Sequence, residues 1–183
     1  MSTHERATAK PTSTTAPARQ RESSVPAIVH DVLRAPGQPL DFHTRNFMEG
    51  KFGHDFSKVR VHADGKAGAS ASAVNSLAYT VGNNLVFAPG QYSPQTAEGT
   101  RLLAHELTHV VQQGGQSSAM QNSLTIGQPN DRYEQEADRM AAFITSAGPG
   151  REQASPAISA LSGGHVQRAC SSCKAEEEEK DKT

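Results

Sequence analysis

The stretch LLAHELTHVVQQ, residues 102–113, places His105, Glu106 and His109 in the order H-E-x-x-H inside an apolar segment. Successive residues of a helix are about 100° apart, so side chains four positions apart lie one above the other and can point two imidazoles at one ion. Glu106 is too close to His105 in sequence to chelate easily beside both histidines, which suits a general base acting on water. The pattern predicts a metal site with His105 and His109 as ligands and Glu106 as the base.

The other side of this predicted helix is apolar and favours packing against a core. It carries Leu103, Leu107, Val110 and Val111. Thr96 is a predicted N-cap with Glu98 in the first turn, and Gly114-Gly115 ends the helix. The alternative is a surface helix that carries two histidines and a glutamate by chance. The apolar flanks argue against it, and we expect a helix buried on two sides.

A catalytic zinc site needs a third protein ligand and a position left for water. The candidates are Glu134, Glu136, Asp138 and His165. Glu134 and Glu136 flank the apolar stripe of a second predicted helix at similar angles, so amphipathicity alone does not choose between them. Asp138 lies one turn beyond Glu134 on the same side, so Glu134 can bind the metal while Asp138 accepts the N–H of a ligating histidine. The alternative interpretation of this pair is a charged helix surface with a cap.

The second predicted helix is DRYEQEADRMAAFITSAG, residues 131–148. Its apolar stripe at helical spacing consists of Tyr133, Ala137, Met140, Ala141 and Ile144. Asp131 with Glu134 resembles a capping box, and Gly148 is a C-cap.

Earlier segments predict a small sheet packed on helices. A first core helix before Gly53 would carry Leu40, Phe42, Phe47, Met48 and Phe52. VRVHA, residues 59–63, alternates as a strand does, and residues 65–77 have helical period. AYTVGNNLVFA, residues 78–88, contains two strand-like runs around an Asn83-Asn84 turn. The class predicted from these patterns is α+β.

The two ends of the chain are poor in apolar residues, which predicts a disordered arm at 1–37, an ordered domain at 38–148 and a flexible tail at 149–183 with an acidic end. Within the arm, residues 25–33 could form one or two helical turns, although a solvated segment is favoured. Cys170 and Cys173 form one CxxC pair in the tail. An inert tail, a redox pair and a thiolate that occupies the open metal position and keeps the site latent all stay open.

Charge and hydropathy exclude several function classes. The chain has 183 residues and a formal net charge of -1, without a cluster of Lys and Arg, so neither nucleic acid nor an anionic membrane surface is expected as a partner. No apolar run is long enough to span a bilayer, and the first residues lack the apolar region of a secretory signal peptide. We expect synthesis in the cytoplasm, with any export by a route that does not read such a signal.

LLAHELTHVVQQ followed by YEQEADRMA resembles the gluzincin zinc metallopeptidases. More closely, FGHDFSKVRVHADGKAGASASAVNSLAYTVGNNLVFAPGQY together with that pair resembles the eCIS core domain family, over about residues 38–145. The resemblance implies a zincin-like (minigluzincin) domain, with a short sheet on the HExxH helix and a C-terminal helix that carries a glutamate. It also implies a metallopeptidase encoded beside extracellular contractile injection systems or polymorphic toxins, often fused to cargo.

By this resemblance, His105, His109 and Glu134 would bind Zn²⁺, with Glu106 as the base and Asp138 behind a histidine. An extended peptide would add to an edge strand made of Leu85, Val86, Phe87 and Ala88. The candidates for oxyanion stabilisation are Tyr79, Tyr92, Tyr133 and His165, each more often structural, as are the lone histidines His54 and His62.

Two functions follow as hypotheses. The first is a zinc-dependent metalloendopeptidase that acts on a peptide or protein substrate, either processing itself or travelling as injection-system cargo. The alternative is a non-catalytic scaffold or cargo domain that keeps zinc for structure and docks onto components of a contractile injection particle. Glu106 favours the enzyme, because it has no coordinating task.

Overall fold

The computed structural model describes residues 25–114, 124–128, 130–146, 156–161 and 164–169. These residues form five helices, α1 (Ala27–Leu33), α2 (Phe42–Phe52), α3 (Gly65–Ala73), α4 (Ala97–Gln112) and α5 (Arg132–Ser146). They also form five strands, β1 (Arg60–His62), β2 (Ala78–Val81), β3 (Asn84–Phe87), β4 (Thr125–Ile126) and β5 (His165–Ala169). The predicted α+β class is confirmed. None of the described helices has the length and apolar character needed to cross a bilayer.

The strands form one mixed sheet in the order β1-β3-β2-β5-β4. β2 and β3 are an antiparallel hairpin in which Val81 pairs with Asn84. The two turn residues are therefore Gly82 and Asn83, one position earlier than predicted. Gly82 has a φ of 58°, and glycine at the first turn position is typical of type II′ hairpins.

β3 lies inside the sheet, so the predicted peptide-binding edge at residues 85–88 is wrong. β1 pairs with β3 in parallel, with Val61 opposite Leu85, and covers the side that β2 leaves open. The side chains of Leu85, Val86 and Phe87 are fully buried, and the N–H of Ala88 donates to the Leu77 carbonyl at 2.8 Å. A strand is an edge only if no remote segment pairs with it, and the hairpin sequence carries no information about β1.

Helices cover both sides of the sheet. Successive side chains along each strand point to opposite sides, so each strand contributes to both helix-covered cores. Val86 on β3, Tyr79 on β2 and Val166 on β5 pack with α1 and α3. Leu85 and Phe87 on β3 face the other way and pack with α2, α4 and α5. The site described below lies on the α4/α5 side.

Two parts of the predicted boundary and core are corrected by the packing. Residues 25–33 were expected to be solvated, but α1 is ordered, with Val29, Val32 and Leu33 buried against α3. A few apolar residues can be buried when another helix supplies the partner surface.

α2 ends as predicted at Gly53, which is left-handed at φ 62°. Its Phe42 and Phe47 are exposed, not core.

The segment expected to be a flexible tail contributes to the domain. β5 pairs antiparallel with β2 and parallel with β4, so that Gln167 lies opposite Thr80 and His165 opposite Thr125. Before it, the N–H of Leu161 donates to the carbonyl of Gln112 at the end of α4. The described parts of 149–169 are therefore ordered, because strand pairing satisfies their backbone groups.

Candidate metal centre

Three buried side chains from two helices converge between α4 and α5. Nε2 of His105 lies 3.1 Å from Nε2 of His109 and 3.2 Å from Oε2 of Glu134. Nε2 of His109 lies 3.4 Å from Oε1 of Glu134. Among the described residues, these three are the group of histidine, cysteine and acidic side chains that could hold a metal ion. Glu134, not Glu136, reaches the cluster, as the position of Asp138 predicted.

The spacing of these atoms fits a small cation. Tetrahedral bonds of about 2.0–2.1 Å place ligand atoms about 3.3 Å apart. The two histidine Nε2 atoms are 3.1 Å apart, and each lies 3.2–3.4 Å from a different carboxylate oxygen of Glu134. Two imidazole nitrogens and a carboxylate oxygen are also a donor set that divalent transition metals accept. The cluster therefore has the donor atoms and the close spacing that a bound ion requires.

Local sequence explains why both helices present these side chains. α4 begins at the predicted N-cap, where the Thr96 hydroxyl accepts the Gly99 N–H at 3.0 Å. α5 begins beside Asp131, whose carboxylate accepts the N–H groups of Tyr133 and Glu134 at 2.8 and 3.0 Å. Because this cap satisfies the backbone of the first turn, the Glu134 side chain is free to face α4.

Each histidine is held through its second ring nitrogen. Nδ1 of His105 lies 3.0 Å from Oδ1 of Asp138, the contact expected from the sequence. Nδ1 of His109 lies 2.7 Å from Oε1 of Gln112. Such contacts fix ring orientation and leave Nε2 facing the cluster.

The acidic groups around His105 create an environment that attracts a cation. Burial by itself lowers the pKa of His105, but hydrogen bonds with Asp138 and Glu134 and the nearby charge of Glu106 outweigh it and raise the pKa to about 10. Burial raises the pKa of Glu134, but hydrogen bonds with His105 and His109 outweigh it and lower the pKa to about 2. Without a metal these carboxylates stabilise a proton on His105, and a bound cation would replace that positive charge.

Glu106 is buried beside the cluster with one oxygen held and one free. The Thr80 hydroxyl donates to Oε2 of Glu106 at 2.6 Å. Oε1 is buried without a hydrogen-bond partner in the part of the chain that the structure describes. Burial raises the pKa of Glu106, and the two histidines oppose this rise. A buried carboxylate oxygen without a donor is unfavourable, so this atom is poised to receive a proton or bind water.

A cavity of about 470 Å³ opens next to the cluster. Its walls come from α4, α5, the loop before α4 and the end of β5, and they include Arg101, His105, Asn130, Glu134, Asp138 and Ala169. A ligand in this cavity would therefore contact two residues of the cluster.

The other predicted candidates make their hydrogen bonds and ring contacts with residues that do not belong to the cluster. Tyr79 is buried on the α1/α3 side, with its hydroxyl 2.6 Å from Ser70. Tyr92 packs on Phe87, Tyr133 contacts Arg132, and His165 contacts Thr125 at an exposed position. His54 packs on Phe56, and His62 hydrogen-bonds Asn84. Cys170 and Cys173 lie outside the described residues.

Two contacts of the site were not predicted, those of Thr80 and Gln112. Gln112 had a usable signal, because it lies three positions after His109 and residues at that spacing are neighbours on a helix. Thr80 had none, since β2 meets α4 only in the folded sheet.

The fold and the cluster together define an α+β domain with a candidate metal centre. Residues 39–117 match the family model of the eCIS core domain, and this match confirms the predicted resemblance. The family links the chain to extracellular contractile injection systems. The match includes His105, Glu106 and His109 but ends before α5, earlier than the expected residue 145. No curated protein and no solved structure matches the chain.

Proposed function

We propose that this chain is a zinc-dependent peptide hydrolase in which Glu106 is the general base. The observation that carries the proposal is the Glu106 carboxylate itself. It is fully buried beside two histidines, and its Oε1 has no hydrogen-bond partner among the described residues. A purely structural metal site has no use for an unpaired buried carboxylate, whereas hydrolysis requires a group that accepts a proton from water.

The ligand set favours zinc. Catalytic zinc sites use three protein ligands, His₂Glu among them, and keep a fourth position for water or substrate. His105, His109 and Glu134 would hold the ion, and the cavity would supply the open position. When bound, zinc supplies Lewis acidity, which makes water a nucleophile near neutral pH and polarises a carbonyl oxygen.

The side chains of the site then have separate tasks. Thr80 fixes Oε2 of Glu106, so that Oε1 takes the proton as water attacks the peptide carbonyl. The C–N bond breaks, and Glu106 returns the proton to the leaving amine. Asp138 keeps His105 in the orientation that presents Nε2. The peptide would enter through the cavity, because β3 has no free edge.

The test is Glu106→Gln, which keeps size and hydrogen bonding but cannot accept the proton. Zinc-loaded wild-type protein and variant would be incubated with a diverse peptide mixture, and peptide products and the intact mass of the protein itself would be followed by mass spectrometry. We expect equal zinc content and at least about a 100-fold slower cleavage by the variant. Asp31→Asn, an exposed carboxylate on the opposite side of the sheet, is the matched control and should cleave at the wild-type rate.

A variant that cleaves as fast as wild type would remove Glu106 from the mechanism. If loaded wild type cuts neither the peptides nor itself, the second candidate is favoured: a metal-stabilised scaffold or cargo domain of a contractile injection particle. The family link supports that candidate. If the chain is a scaffold or cargo domain, Glu106→Gln should leave its loading into the particle unchanged. If it is a self-processing enzyme, the intact mass of the wild type should fall and that of the variant should not.

A further inference from the structure

The hydrogen bonds of Gln112 determine which ring nitrogen of His109 carries the proton. Gln112 and His109 are almost completely buried, so water does not compete for these groups. The Gln112 amide nitrogen lies 3.0 Å from the Tyr133 carbonyl and 3.3 Å from a Glu136 oxygen. Both partners can only accept, so the NH₂ group must face them and Oε1 must face His109.

The orientation of the Gln112 amide also determines the tautomer of the His109 ring. Oε1 of Gln112 lies 2.7 Å from Nδ1 of His109, and an amide oxygen can only accept, so Nδ1 carries the proton. In the neutral ring, Nε2 then has its lone pair directed at His105 and Glu134, the form that binds metal. The reversed amide would turn its NH₂ group towards the ring and its oxygen towards two acceptors, the Tyr133 carbonyl and the Glu136 carboxylate.

Glu136 is itself held by a remote segment. The N–H of Ser159 donates to Oε2 of Glu136 at 2.9 Å, and the Ser159 hydroxyl donates to Oε1 at 2.7 Å. A series of hydrogen bonds thus runs from Ser159 through Glu136 and Gln112 to His109. Glu136, which the sequence offered as an alternative third ligand, therefore contacts His109 indirectly, through Gln112.

We propose that Gln112 is a positioning residue that fixes the tautomer of His109 for metal binding, with Glu136 and Ser159 holding its amide in the required orientation. His109 then has what Asp138 gives His105, an acceptor on Nδ1. The inference rests on the proposed metal centre but does not require catalysis, so its test measures metal affinity.

The experiment compares zinc affinity, measured by competition with a chromophoric chelator, in wild type, Gln112→Ala and Gln113→Ala. Gln113 is a matched control, because it is equally buried and binds the Gly82 N–H and the Thr80 carbonyl instead of a histidine. We expect Gln112→Ala to bind zinc about 10- to 100-fold more weakly. Gln113→Ala should lose stability but keep its affinity for zinc.

Further variants separate positioning from simple packing. Gln112→Glu combined with Glu136→Gln keeps an acceptor on His109 and a donor between the helices, so it should recover most of the affinity. Ser159→Ala, which leaves the buried amide in place, should weaken binding slightly and serves if Gln112→Ala does not fold. The absorption spectrum of the Co²⁺ form should change in Gln112→Ala and return towards wild type in the double variant.

Equal affinity of wild type and Gln112→Ala, or equal losses in Gln112→Ala and Gln113→Ala, would overturn the positioning role and leave the metal centre intact. If wild type binds neither zinc nor Co²⁺, the metal centre and this inference fall together. Zinc binding by wild type without peptide cleavage would count against the hydrolase alone.

Discussion

The two sides of the sheet are built on different principles. On the α1/α3 side the core is apolar, and its buried Tyr79 and Ser70 hydroxyls satisfy each other at 2.6 Å. On the α4/α5 side an apolar core surrounds buried polar groups: His105, Glu106, His109, Gln112 and Glu134. Burying charge is unfavourable unless it is paired, so a fold needing only stability would resemble the first side. We therefore assign the proposed function to the second side.

The largest expected effect separates the ligand from its neighbour. Glu134→Ala should weaken zinc binding by more than the roughly 10- to 100-fold that outer partners cost, because it removes a carboxylate in contact with both histidines. Glu136→Ala should retain zinc, with the smaller loss expected for a residue that acts through Gln112. Metal content after gel filtration and chelator competition would measure both, and equal losses would refute the assignment of Glu134.

Metal removal should destabilise one side of the sheet more than the other. A ligand present at about 100 to 1,000 times its Kd adds roughly 3–4 kcal/mol to the free energy of unfolding. Treatment with EDTA should therefore lower the Tm, and amide exchange should increase more in α5, which holds Glu134, than in α3. An unchanged Tm in protein shown to have lost its metal would mean that the cluster does not couple the two helices.

The smallest effect tests the apolar side. Tyr79→Phe leaves the buried Ser70 hydroxyl without its partner and should cost about 1–3 kcal/mol of stability. Zinc affinity should not change, because Tyr79 faces away from α4. Urea denaturation would measure the stability change, and a double-mutant cycle with Ser70→Ala would assign it to the hydrogen bond. Reduced zinc affinity in Tyr79→Phe would show that the two sides are coupled.

Local sequence signals were sufficient for several elements. The Thr96 and Asp131 caps, the end of α2 at Gly53 and the apolar faces of α4 and α5 agree with the structure. The position of Asp138 indicated which glutamate faces α4. Signals failed where the partner is remote, as for α1, whose few apolar residues looked insufficient until α3 covered them.

Helical period and capping determine which side chains share a face, and both depend on residues within about four positions of each other. The sequence by itself therefore determined that His105 and His109 point the same way and that Glu106 lies beside them. Tertiary structure alone decided that β1 covers β3, that β5 joins β2, and that Thr80 holds Glu106. Strand pairing and contacts between helices depend on residues distant in the chain, and no local pattern specifies them.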